Sequence, residues 1–201
     1  MKISTNGANF IKSFEGLALK AYRDSAGVLT IGYGHTSEAG LPKVYPNMTM
    51  TKKEADLLFL NDIKKYEKCV TNNVKVNLNQ NQFDAMVSFC YNVGCEKFIK
   101  SSVLKNLNKG DFSKVPDSLM LYVYSNKKKL NGLIKRRSAE VELFLRDVPN
   151  SSVEASKKFY VPFKEIFALI ASIPATVADN RYLFLATIII IVAVIFFNRR
   201  K

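Results

Sequence analysis

Glu15, Asp24 and Thr30 stand close together near the start of the chain and offer, in order, a carboxyl group, a second carboxyl group and a hydroxyl. Two carboxyl groups on opposite walls of a cleft suit glycoside hydrolysis. One protonates the leaving oxygen, and the other assists a water or attacks the sugar. A hydroxyl beside the second acid can hold that water. The same spacing is also what a turn-opening Asp and a solvated helix-end acid leave behind.

The elements that must position these groups are legible on both sides of them. Phe10, Ile11 and Phe14 make one apolar helical face, and Gly16 is placed to stop that helix just after Glu15. Asp24-Ser25-Ala26-Gly27 carries the chemistry of a tight turn, with Asp bonding its own backbone and Gly accepting positive φ. Val28, Thr30 and Tyr33 favour a return strand. A helix end followed by a β-hairpin aims Glu15, Asp24 and Thr30 at one cleft.

Further along, residues 37–50 hold Gly40, Pro42, Pro46 and Asn47 and read as loop. Thr51 and Glu54 form a capping box, opening a helix that buries Ala55, Leu58, Phe59, Ile63, Tyr66 and Val70. Residues 71–79 are Asn-rich loop. The spacing of Phe83, Met86, Val87 and Cys90 predicts a helix over 80–93 that stops at Gly94. Further helices are expected over 97–108, over 112–125 with an early interruption at Pro116, and over 131–146, where Leu133, Arg137, Val141, Phe144 and Leu145 recur at helical spacing.

Glu15, Asp24 and Thr30, followed by Ile31-Gly32-Tyr33-Gly34-His35-Thr36, resemble the catalytic region of the phage-type lysozymes, the muramidase endolysins of glycoside hydrolase family 24. Three later blocks are similar in the same order: Thr51-Lys52-Lys53-Glu54-Ala55, the run from Asn81 to Gly94, and Gly132 to Arg137 with Glu140. The resemblance implies an α+β, lysozyme-like fold, with a small β-hairpin lobe, a long bridging helix and a larger helical lobe. It implies Glu15 as general acid, and Asp24 with Thr30 positioning water or stabilising charge on the sugar. Tyr33, Asn92 and Arg137 are assigned to substrate binding. His35, the only histidine, is read as bracing the sheet. The implied substrate is the β-1,4 bond between N-acetylmuramic acid and N-acetylglucosamine in peptidoglycan, cleaved without metal or cofactor. Two alternatives are carried: a related chitin or chitosan glycosidase, and a cationic membrane-disrupting protein whose lysozyme-like part only binds wall.

The chain of 201 residues has a formal net charge of +13, and residues 1–150 hold 23 Lys and Arg against 14 Asp and Glu. Such a balance favours polyanions. The basic residues are dispersed and form no nucleic-acid-binding motif, so no nucleic-acid partner is expected; Lys127-Lys128-Lys129 reads as a solvated loop. Cys69, Cys90 and Cys95 lack metal-like pairing. Cys90 reads as a small buried hydrophobe, and the low cysteine density argues against a Cys69–Cys95 bridge.

The expected organisation is a catalytic domain over 1–150, a linker over 151–161, an amphipathic helix over 162–174 and a transmembrane anchor over 181–198. Tyr182 to Phe197 contains no charged residue, and at ~1.5 Å per residue it spans about 24 Å, with Arg181 and Arg199-Arg200 able to snorkel. No cleavable signal peptide is visible at the N-terminus. The chain is read as a monomeric single-pass protein of the bacterial inner membrane with the enzyme on the wall side; residence in a virion membrane is the alternative.

Overall fold

The computed structural model describes residues 1–146 except Ser25 and Asn126, all within a unit running from Met1 to Asp147. The linker, the amphipathic helix and the anchor expected beyond residue 150 lie outside the described residues. No helix among the described residues is long and apolar enough to cross a membrane.

Helix α1 (Thr5–Glu15) starts at Ser4, whose hydroxyl accepts from the Gly7 amide at 2.9 Å. The same Ser4 donates its backbone N–H and its hydroxyl to the two oxygens of Asp84, at 3.0 and 2.5 Å. That pins the helix start to the molecule's centre. Gly7 is required there, because an added Cβ would lie 2.5 Å from Asp84 Cγ. Gly16, at φ 71°, ends α1 directly after Glu15.

Strands β1 (Ala18–Arg23), β2 (Leu29–Gly32) and β3 (His35–Thr36) follow as a three-stranded antiparallel sheet in the order β1-β2-β3. Tyr22 pairs with Thr30 and Arg23 with Leu29; Thr30 pairs on its other side with Thr36. The Asp24 turn closes by a hydrogen bond from the Gly27 amide to the Asp24 carbonyl, 2.9 Å.

Helix α2 (Lys52–Asn73) opens on the expected Thr51–Glu54 capping box. Its Phe59 meets Tyr33 from the sheet and Tyr91 from helix α3 (Gln80–Val93), with ring centroids 5.6 and 5.7 Å apart. This aromatic row joins the small lobe to the helical one. Helix α3 is the hub, buried along its length from Gln82 to Cys90, and α1, α2 and helix α7 (Asn131–Leu145) all pack on it.

Three local expectations are corrected. The helix expected over 97–108 is two, α4 (Cys95–Ile99) and α5 (Ser102–Asn108), because Ser101 caps a new start by accepting from the Leu104 amide at 3.0 Å. The helix expected over 112–125 is a short 3₁₀ turn (Phe112–Lys114) and α6 (Val115–Met120), in which Pro116 begins a helix and does not interrupt one. Beyond it, β4 (Tyr124–Ser125) and β5 (Lys128–Lys129) form a hairpin, so Lys128 and Lys129 of the lysine triplet sit on a return strand and Lys127 in the turn before it.

The third correction is covalent: Cys69 and Cys95 are disulfide-bonded, with Cα atoms 6.1 Å apart. Helix α3, between them, folds the end of α2 against the start of α4, a proximity that spacing does not reveal. Cys90 is the free, buried cysteine, and burial pushes its thiol up to about 12. The three sulfurs lie within 4.8 Å of one another, but two are consumed by the bond.

Candidate active site

Glu15 is placed by the helix stop at Gly16, which leaves its side chain 21% exposed at the end of α1. Arg136 on α7 donates through Nη1 to Glu15 Oε1 at 2.6 Å. The same guanidinium reaches Glu140 Oε1 and the Ser88 carbonyl, each at 3.3 Å, and lies 5.6 Å from the centre of the Phe14 ring. Its position is therefore fixed from three sides. Glu140 has no exposed surface and also accepts from Ser88 Oγ at 2.7 Å and Arg137 Nη1 at 2.5 Å.

Burial works against both charges of the inner pair. It pushes the Glu140 carboxyl up and brings the Arg137 guanidinium down to about 10, while each partner's charge opposes the shift. Arg137 Nη2 donates to Asn92 Oδ1, and Arg137 Nε has no partner among the described residues. A cleft of ≈ 530 Å³ opens in front of this network, lined by Phe14, Glu15, Asn92, Arg136 and the segment from Leu130 to Leu133.

The hairpin carrying the other two expected groups starts three residues after Glu15. Asp24 Oδ1 accepts from the amides of Ala26 and Val28 at 2.8 and 2.9 Å, while Oδ2 makes no hydrogen bond among the described residues. One carboxylate oxygen thus fixes the turn and the other is free to work. Thr30 is 4% exposed, and its hydroxyl donates to the Val28 carbonyl at 3.1 Å. Its oxygen lone pairs stay available to accept.

Of the residues assigned to substrate binding, Asn92 lines the cleft with Glu15. Arg137 and Tyr33 do not lie on its surface. Arg137 is fully buried and holds Asn92 from behind, so it positions a wall and touches nothing outside. Tyr33 is 7% exposed; its hydroxyl donates to Asp56 Oδ1 at 3.1 Å and its carbonyl accepts from the Tyr91 hydroxyl at 2.8 Å. It binds lobe to lobe. His35 has both ring nitrogens engaged, Nδ1 with Asp62 Oδ2 and Nε2 with the Pro42 carbonyl oxygen, each at 2.8 Å. Neither nitrogen is left to act as a base. The residues missed in the sequence are Arg136 and Ser88. The available signal was the Arg136-Arg137 pair followed by Glu140, a carboxylate three and four residues ahead of two guanidinium groups.

The family model described as phage lysozyme matches residues 12–140, which contain the cleft, the hairpin and the arginine network. The chain belongs to the phage lysozyme family. Among family relatives, the endolysin of Bacillus phage B103 is 41% identical over 160 residues, covering 78% of this chain and 59% of that protein. The chain thus spans about three fifths of that relative's length. The endolysin of Salmonella phage P22 is 39% identical over 145 residues, covering 72% of this chain and 99% of its own. The muramidase domain of SpmX from Asticaccaulis excentricus superimposes with a TM-score of 0.67 at 38% identity, over 74% of this chain and 99% of that one.

Proposed function

We propose that this member of the phage lysozyme family is a muramidase that hydrolyses the β-1,4 bond between N-acetylmuramic acid and N-acetylglucosamine in peptidoglycan. The observation that carries the proposal is Glu15 at the edge of the cleft, its Oε1 held by Arg136 at 2.6 Å. With Oε1 occupied, Oε2 is the oxygen that carries a proton to the glycosidic oxygen. The bond from the anomeric carbon to that oxygen breaks as the proton arrives. The free Asp24 oxygen supports the positive charge that develops on the sugar. Thr30 accepts a hydrogen bond from the attacking water, Asp24 takes one proton from it, and the water oxygen, keeping its other hydrogen, bonds to the anomeric carbon. The proton balance closes when solvent returns Glu15 and Asp24 to their starting states.

Glu15→Gln tests this directly, because an amide holds the same place without a catalytic proton. Release of reducing ends from purified wall should fall by about 10²–10⁴-fold, with circular dichroism and thermal unfolding unchanged. Near-normal turnover in the folded variant overturns the mechanism.

The finer biological setting belongs to the same proposal. The catalytic domain ends near residue 150, and the uncharged run from Tyr182 to Phe197 anchors it in the bacterial inner membrane. The basic tail Arg199-Arg200-Lys201 supports a C-terminus on the cytoplasmic side and an enzyme facing the wall. A net charge of +13 favours attraction to the anionic wall.

A further inference from the structure

Tyr22 and Thr30 are direct partners across the β1–β2 pair. Such partners leave one face of a sheet together, with Cβ atoms about 4.5–5.5 Å apart. Asp24 follows Tyr22 by two residues and opens the turn directly after β1 ends at Arg23. This end of the hairpin therefore carries an aromatic ring and a hydroxyl on one face, with a carboxylate in the adjoining turn.

The ring is not spent on the fold. Tyr22 is 48% exposed while Thr30 beside it is 4% exposed. It takes no part in the ring contacts that stitch the core among the described residues. Its hydroxyl makes no hydrogen bond among them either. A pyranose ring presents a flat face of C–H bonds, and the face of an aromatic side chain is its natural counterpart. The chain contains no tryptophan, so such a platform must be a tyrosine or phenylalanine.

We propose that Tyr22 is a sugar-stacking platform, seating the aminosugar whose anomeric carbon faces Asp24 and Thr30. The inference rests on the hydrolase reading above, and it makes Tyr22 a positioning residue. Its effect falls on binding in the ground state and the transition state alike.

The test uses the full chain and peptide-free glycan strands of alternating N-acetylglucosamine and N-acetylmuramic acid. Tyr22→Ala should raise KM about tenfold with kcat within about threefold, the pattern of lost uniform binding. Tyr22→Phe, which keeps the ring, should stay within about twofold of wild type. Tyr45→Ala, removing a tyrosine 61% exposed in the loop before α2, is the control and should change neither parameter. A second measurement needs no turnover. Tyr22→Trp in a Glu15→Gln background places the molecule's only indole on the platform, and its emission should shift saturably as a tetrasaccharide of the same strands is added. A folded Tyr22→Ala with wild-type KM, or an indole indifferent to saturating glycan, overturns the platform. Should Tyr22→Ala not fold, the emission titration decides. A wild-type chain that releases no reducing ends overturns the hydrolase reading instead, which the indole titration reads separately.

Discussion

Arg136 is where the charges of the site converge, since its guanidinium spans Glu15, Glu140 and the Ser88 carbonyl. A planar fork can do this; an ammonium group cannot. Arg136→Lys keeps the charge but loses the fork, and should cost about 1.5–3 kcal/mol in urea unfolding together with a fall in kcat. Arg136→Met leaves Glu140 with a lost partner in a dry interior and should cost more, about 3–5 kcal/mol. Equal stability of all three proteins would show that the network is ornamental. Helical spacing correctly put Arg137 on the apolar stripe of the last helix. It could not say which of two adjacent arginines faces the cleft, because that depends on how α7 is rotated against α3. The placement of Glu15 at a helix end and of Asp24 in a tight turn was legible because helix-stop and turn chemistry are written locally, in Gly16 and Gly27.

At the scale of elements, Asp56 fastens the small lobe. It accepts from Lys12 on α1 at 3.0 Å, from Lys52 one turn before it on α2 at 2.9 Å, and from the Tyr33 hydroxyl at 3.1 Å. These donors, Lys52 first and Lys12 next, hold its carboxyl well below the ordinary range, at about 2. A carboxylate depressed in the folded state takes up its proton more readily once unfolded. Its contribution is therefore complete above roughly pH 4 and is lost as pH falls toward about 2. Thermal midpoints measured from pH 5 down to pH 2 should fall less steeply in Asp56→Asn than in wild type, starting from a lower value. Parallel curves would remove Asp56 from the acid response. The long helices were legible from caps and period, in Thr51 with Glu54 and in Gly94. The break between α4 and α5 and the β4–β5 hairpin were not. Pieces this short carry too few residues to show a period, and their neighbours decide them.

For the whole molecule, the two-lobed α+β plan follows from residues that meet far apart in sequence, above all Tyr33, Phe59 and Tyr91. Deleting residues 151–201 should leave an active domain that no longer sediments with membranes, whereas the full chain should resist alkaline carbonate washing. A full chain that washes off, or a shortened one that cannot fold, would move the proposed boundary at 150. Composition hid the covalent bond, since three cysteines of low density gave no pairing.

Helix α3 and the segment from Thr71 to Asn79 lie between Cys69 and Cys95, so the bond makes a closed ring of the molecule's centre. A protease that nicks the ring between α2 and α3 opens it without dividing the molecule. The cut protein should run as one band on a gel without reductant and as two fragments once thiol is added. Helix α3 stays tethered at both ends of the wound, so the domain keeps its hub after the first cut.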